Sequence, residues 1–122
     1  MSITIHCRYQ KKDQFGSEVF IASQSKEQES FEIIKGYTEK LKGLNLCTFL
    51  PVYHGNTENP YTTIRFKHCK SKVKLEERNT YKITFSFRKV TRDDKQYINC
   101  YVESIELISK APDIDFGEVL EL

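Results

Sequence analysis

The chain has 122 residues, which is enough for one domain with a single hydrophobic core. A hydrophobic content of 39% excludes wholesale disorder, and no apolar run approaches the ~20 residues of a membrane helix, so we expect no membrane association. The net charge is only +2, but residues 65–95 hold eleven Lys or Arg and four Asp or Glu, a local balance of +7. This segregation favours a polyanionic partner, although a solvated surface on a lysine-rich protein has the same composition.

Two strands are predicted near the N-terminus. Residues 2–9 alternate apolar and polar side chains, a polar turn containing Gly16 follows, and residues 18–22 form a short apolar run. Together these segments predict a β-hairpin. The first residues lack the charged-then-apolar order of a secretory signal, so we expect a cytoplasmic protein.

One helix is predicted after this hairpin. Ser25 and Gln28 have the spacing of a capping box, and apolar residues recur at helical spacing through residues 31–41. Gly43 is a typical helix stop. We therefore expect a helix from Ser25 to about Lys42 that packs on a sheet.

The next predicted strands carry a row of cations. Residues 44–53 predict a buried strand that stops near Pro51, and residues 54–60 form a loop that could bind a ligand. Alternation resumes over residues 61–69, and lysine continues at every second residue to Lys74. An extended chain would space these cations ~6.6–7 Å apart, close to the spacing of phosphates along a single strand. An edge strand protected from aggregation by lysine has the same pattern, so both interpretations stay open.

The strongest pattern in the chain is a hairpin over residues 79–108. Residues 81–87 alternate strictly, residues 91–96 form a polar turn, and residues 97–102 alternate again. The apolar parity shifts after Glu103, which predicts a β-bulge or a move between layers. The polar face of this hairpin would carry Lys82, Thr84, Ser86, Arg88, Tyr97, Asn99 and Tyr101.

Cations beside exposed rings can hold phosphates and stack bases, the two requirements of a platform for single-stranded nucleic acid. Solvated strand faces without a ligand also carry Lys, Thr and Tyr, because Thr and Tyr favour strands. The residues of the hairpin alone leave both interpretations open.

Motifs for catalysis and metal binding are missing from the sequence. The four cysteines are widely spaced without a CxxC pair, and the two His–Cys neighbours, at 6–7 and 68–69, would point to opposite faces of a strand. None of the three histidines has an acid or nucleophile at a familiar spacing, and there is no Gly-rich phosphate loop. We expect no enzymatic activity, no cofactor and no metal site.

The second half of the chain resembles the closing hairpin of bacterial and phage single-stranded DNA-binding proteins with an OB fold. The matching segments, about a third of the chain together with the tail, are residues 74–77, 81–87, 92–95 and 97–107. The final DIDFGEVLEL resembles the acidic, apolar-ended tail of that family. The resemblance implies a mainly β, OB-fold-like small barrel with one helix at residues 1–110, followed by an acidic C-terminal tail at residues 111–122. The chain departs from the family in the early position of its helix and in lacking Trp.

The function implied by this resemblance is to coat single-stranded DNA without sequence preference in replication or recombination, as a phage-encoded protein in the bacterial cytoplasm. Bases would stack on Tyr61, Tyr97 and Tyr101. Phosphates would be neutralised by Arg65, Lys67, Lys72, Lys82, Arg88 and Arg92. Replication or recombination proteins would be recruited by the tail residues Asp113, Asp115, Phe116 and Glu118.

Two alternatives stay open on the sequence. One is a protein–protein module on the same fold, such as a phage inhibitor or adaptor that binds a host factor by a sheet edge. The other is an RNA-binding OB fold. A homo-oligomer is expected under the DNA-binding hypothesis, because small OB proteins often pair strands across subunits.

Overall fold

The fold is given by a computed structural model that describes residues 2–46, 48–67 and 71–111. The elements in chain order are β1 (Ile3–Lys12), β2 (Glu18–Ser23), α1 (Gln28–Lys40), β3 (Asn45–Leu46), β4 (Phe49–His54), β5 (Tyr61–Phe66), β6 (Thr80–Arg92) and β7 (Lys95–Ser109). The prediction of a mainly β fold with a single helix is confirmed.

The seven strands form one sheet in the order β3-β7-β6-β1-β2-β5-β4. Neighbouring strands are antiparallel except β3 and β7, which are parallel. Across the described ranges this sheet is not closed into a barrel, which differs from the small barrel expected from the sequence. The two edge strands β3 and β4 are separated by only residues 47 and 48, and each pairs with a different neighbour, β3 with β7 and β4 with β5.

Thr48 joins the two margins of the sheet. Its carbonyl accepts a hydrogen bond of 3.0 Å from the backbone N–H of Lys67, just after β5. Its hydroxyl accepts a bond of 2.7 Å from the N–H of Cys100 in β7 and donates one of 3.0 Å to the Cys100 carbonyl. The end of β5 and the middle of β7, which are far apart in the strand order, are therefore held next to the same residue.

The core lies on the inward faces of the strands and is rich in phenylalanine. The ring of Phe66 lies 5.5–5.9 Å, centroid to centroid, from the rings of Phe20, Phe49 and Phe85. All four side chains are buried, and burying each one stabilises the fold by roughly 1.5–3 kcal/mol relative to solvent exposure. These rings come from β2, β4, β5 and β6, so the core depends on strands from both halves of the chain.

The helix α1 covers part of the sheet, as predicted. Phe31 and Ile34 are buried against the core, and the hydroxyl of Ser30 accepts a hydrogen bond of 2.7 Å from the backbone N–H of His6 in β1. The helix ends at Lys40 with Leu41 as its C-cap, earlier than the predicted end at about Lys42, and Gly43, with φ +82°, lies in the turn that follows. No helix in the described part of the chain is long and apolar enough to cross a membrane.

The predicted capping box is wrong. The helix begins at Gln28 instead of Ser25, and its N-cap residue Glu27 makes no capping hydrogen bond with its side chain. The Glu27 carboxylate instead accepts hydrogen bonds of 2.8 Å from the Ser23 N–H and from the guanidinium of Arg8. A tertiary contact with β1 therefore replaces the local cap that the sequence suggested.

Two predicted details of the strands have opposite outcomes. The predicted bulge in the hairpin is confirmed, because Thr84 pairs with Ser104 and the next residue, Phe85, pairs with Val102, leaving Glu103 as the extra residue.

Pro51, however, lies inside β4 instead of ending it. This is compatible with a proline because β4 is an edge strand, where a missing N–H costs no ladder bond on the open side.

Candidate nucleic-acid interface

The β6–β7 hairpin extends beyond the end of β1 as a ribbon, defined here as residues 86–101, and its β7 strand also pairs with β3 at Tyr97 and Ile98. β1 pairs with β6 only as far as Phe85, so in the described chain residues 86–92 have β7 as their sole strand partner. The inner face of the ribbon is anchored by Phe87, whose ring lies 5.0 Å from that of Phe49 and 5.2 Å from that of Tyr37. The ribbon is thus fixed to the core while its outer face remains open to solvent.

The outer face of the ribbon brings together the residues that the alternation predicted. Ser86 pairs with Tyr101, Arg88 with Asn99, and Val90 with Tyr97. The guanidinium carbon of Arg88 lies 5.0 Å from the ring centroid of Tyr101, a cation–π contact. Tyr101 is still 44% exposed, so a cation and an accessible ring occupy one small surface.

The tip of the ribbon adds further cations. Arg92 and Lys95 pair across the turn, and both are exposed. The two turn residues, Asp93 and Asp94, have φ +50° and +65°, as a two-residue turn of type I′ requires. The aspartates therefore serve the geometry of the polar turn, while the flanking cations remain exposed.

A second group of predicted residues lies at the end of β5. Arg65 and Lys67 follow the outward parity of this strand, and the bond from Lys67 to Thr48 places them next to β7 at Cys100. Arg65 is not free of acidic neighbours, since its guanidinium lies 3.8 Å from the carboxylate of Asp13. The structure thus brings Arg65 and Lys67 towards the ribbon through Thr48.

A pocket of about 230 Å³ lies beside these two cations. Its lining includes the apolar residues Phe15, Leu46 and Leu50 and the charged residues Asp13, Arg65 and Lys67. Phe15 is 75% exposed at the turn between β1 and β2, and it was not among the residues predicted for the site. The available signal was a bulky ring within an otherwise polar turn, KKDQFGS.

Asp13 organises this turn. One carboxylate oxygen accepts hydrogen bonds of 2.9 Å from the backbone N–H groups of Ser17 and Phe15. The Ser17 N–H above all, with the Phe15 N–H and the charge of Arg65, lowers the pKa of the Asp13 carboxyl below its ordinary value of 3.8. The carboxylate is therefore ionised near neutral pH, and it holds the backbone of Phe15 in place through the Phe15 N–H.

Three predicted nucleic-acid-binding residues lie outside these two groups. Tyr61 is at the opposite end of β5, about 20 Å along the strand from Lys67, and its ring stacks on His54 at 4.5 Å. Lys82 lies 4.0 Å from Glu106 on the neighbouring strand, so an acid already faces it. Lys72 lies in the irregular connection after β5.

The predicted row of lysines along one extended strand is wrong. β5 ends at Phe66, and residues 71–79 form no strand. Val73 and Leu75 pack against the core, and the hydroxyl of Tyr81 donates to the Lys74 carbonyl at 3.0 Å. These contacts bend the segment, so its lysines lose the even spacing of an extended chain. The predicted tail residues Asp113, Asp115, Phe116 and Glu118 lie outside the described residues, and their recruiting role stays a prediction.

Groups for metal binding do not converge in the part of the chain that the structure describes. Within it, no three His, Cys, Asp or Glu side chains come close enough to hold a metal ion. Cys7 is buried, and loss of solvation, reinforced by the nearby charge of Glu27, raises the pKa of its thiol. Such a thiol stays protonated and serves the core as a small apolar group.

Comparison with known proteins adds no relative to this picture. No protein-family model, no curated protein and no solved structure matches this chain.

Proposed function

We propose that this protein binds single-stranded DNA without sequence preference and coats it during replication or recombination in the cytoplasm of a bacterial host. The observation that carries the proposal is the outer face of the ribbon, where Arg88 lies over the exposed ring of Tyr101 beside Asn99. A ring can stack on a base and a cation can neutralise a phosphate. Both groups act on parts that all nucleotides share, which suits a protein without sequence preference.

The proposal makes the strength of binding depend on salt. Four of the cations next to the ribbon and the pocket are residues that were predicted to neutralise phosphates: Arg65, Lys67, Arg88 and Arg92. If each neutralises one phosphate, the logarithm of the binding constant should fall with the logarithm of salt concentration with a slope of about −2.8. We assign no catalytic role to these residues.

Fluorescence anisotropy of labelled oligo-dT, oligo-rU and a DNA duplex, each at low and moderate salt, tests this function. We expect salt-sensitive binding to oligo-dT and weaker binding to duplex. Arg88→Ala should weaken binding to oligo-dT more than Lys82→Ala, because Lys82 already faces Glu106 while Arg88 faces solvent and a ring. Flat curves for all three ligands would refute the proposal, and stronger binding to oligo-rU would make RNA the ligand.

A second candidate function, a protein–protein module, is favoured by the open edge of β7. Beyond Cys100, β7 has only β6 as a strand partner among the described residues, and Leu107 and Ile108 are exposed there. An exposed edge with apolar side chains can accept a strand from another chain or from a second copy. Light scattering of the purified protein tests the second copy, and a pull-down tests another chain. A stable complex together with no affinity for nucleic acid would favour this candidate.

A further inference from the structure

The pocket beside β5 is lined by apolar and charged side chains together. Its volume of about 230 Å³ lies below the roughly 300–1,000 Å³ of sites for drug-sized ligands, so only a smaller group such as one base can enter it. We infer that it is a second base-binding subsite, which receives one base of the same single strand that lies on the ribbon. This inference rests on the proposed function.

The backbone that carries Phe15, whose ring lines the pocket, is held by hydrogen bonds. The turn around Phe15 is closed by hydrogen bonds from the Asp13 N–H to the Ser17 carbonyl and from the Gly16 N–H to the Asp13 carbonyl, of 2.9 and 3.0 Å. The Asp13 carboxylate also binds the Phe15 N–H. Because these hydrogen bonds fix the backbone of the turn, a base that stacks on the ring, which is 75% exposed, has to order only the Phe15 side chain.

The charges around the pocket favour the base of a nucleotide inside it and the phosphate outside it. Asp13 places a carboxylate in the lining, which would repel a phosphate. Lys67 is exposed at the rim and Arg65 is partly exposed, so a phosphate can approach them from outside. Phe15, Leu46 and Leu50 supply the apolar surface that a base prefers. The arrangement therefore fits a nucleotide whose base enters the pocket while its phosphate stays at the rim.

The pocket lies close to the ribbon, because Thr48 links Lys67 to Cys100. The Lys67 N–H and the Cys100 backbone both bind Thr48, so these two residues are about two strand spacings apart, roughly 10 Å. Tyr101 directly follows Cys100 on the ribbon. A single strand that leaves Tyr101 needs to cross only this short distance to reach Lys67 and the pocket.

Phe15→Trp tests the subsite directly, because the chain contains no other Trp and the variant carries a single indole reporter. We expect oligo-dT to quench the fluorescence of this indole and to protect it from acrylamide. In anisotropy, Phe15→Ala should weaken binding of an oligomer of about 16 nucleotides by roughly 5- to 150-fold and that of one of about 4 nucleotides much less. Phe15→Tyr keeps a ring and should retain affinity. Tyr53→Ala removes a ring that is 40% exposed on β4 and contacts the helix at Phe31, and it should leave the affinity unchanged.

The outcomes separate the inference from the function on which it rests. If the wild-type protein binds oligo-dT while Phe15→Ala binds equally well and the indole of Phe15→Trp is not quenched, the subsite is refuted and the proposed function stands. If the wild-type protein binds no oligomer of either length, both fail. Phe15 makes no contribution to the buried core, so its variants should unfold at the wild-type temperature. Thermal unfolding of each variant verifies this, and a change in affinity can then be assigned to the ligand-binding surface.

Discussion

The hydroxyl of Thr48 is bonded to both backbone polar groups of Cys100, accepting from its N–H at 2.7 Å and donating to its carbonyl at 3.0 Å. A side chain thus takes the place that a neighbouring strand would occupy at this point of β7. Because Thr48 also accepts the Lys67 N–H, the contact links the end of β5 to the ribbon.

Thr48→Val should destabilise the protein by about 1–3 kcal/mol, because valine has the shape of threonine but leaves two partly buried backbone groups of Cys100 without this partner. Urea unfolding measures the change. Thr48→Ser keeps the hydroxyl and should recover most of the loss. Thr4→Val is a matched control, since Thr4 makes one exposed hydrogen bond of 3.3 Å to Thr84. Equal effects of Thr4→Val and Thr48→Val would contradict the role given to Thr48.

Tyr101→Ala should weaken binding to oligo-dT by about 5- to 150-fold, the effect of losing one stacked base. Tyr101→Phe keeps the ring and should bind nearly as the wild type does. Tyr53→Ala serves as the control, because Tyr53 has similar exposure but contacts Lys35 and Phe31 of the helix instead of the ribbon. Anisotropy titrations compare the three variants. An unchanged affinity of folded Tyr101→Ala would remove Tyr101 from the interface.

Glu27→Ala should cost about 1–3 kcal/mol of stability, because it removes the acceptor of the buried Ser23 N–H and the partner of Arg8. Glu106→Ala removes an equal charge from an exposed pair with Lys82 at 4.0 Å and should cost less than about 0.5 kcal/mol. Chemical denaturation of both variants gives the comparison. Similar losses would show that Glu27 acts only as a surface charge.

Gly36→Ala should stabilise the protein by roughly 0.5–1 kcal/mol, because Gly36 lies within α1 and a Cβ there meets no atom within 4 Å. Gly43→Ala should do the opposite, although a Cβ there also meets open space, because φ is +82° and an L-residue pays about 1–2 kcal/mol in that conformation. Melting temperatures of the two variants distinguish an effect of the backbone conformation from an effect of steric crowding by the added Cβ. Stabilisation by both would contradict the left-handed backbone conformation of Gly43.

The stability of the protein should depend on the charge of Asp13 in the acidic range. Hydrogen bonds, led by that from the Ser17 N–H, lower the pKa of Asp13 in the folded state below the ordinary 3.8. A lowered folded pKa adds stability that is fully present above 3.8 and is lost as the pH falls through the folded value. The wild type should therefore have a larger free energy of unfolding than Asp13→Asn at neutral pH. This difference between the two proteins should vanish in acid. A difference independent of pH would show that the charge is irrelevant.

Alternation within the hairpin was sufficient to predict its two strands and the bulge at Glu103, because the period of a strand determines which side chains share a face. It also predicted that Arg88, Asn99 and Tyr101 lie together, which the pairing confirms. Local patterns led to wrong predictions elsewhere. Ser25 does not cap the helix, and Glu27 binds Arg8 instead. The lysines after β5 do not form an extended row, because Val73 and Leu75 pack against the core.

The sequence by itself determined the strands, the single helix and the polar face of the ribbon, because each depends on residues a few positions apart. Only the tertiary structure decided that Thr48 would meet Cys100, that Arg65 and Lys67 would approach the ribbon, and that Phe15 would stand beside a pocket. Such contacts join segments separated by about fifty residues or by several strands of the sheet. They depend on how the whole sheet curves, and no local pattern specifies that geometry.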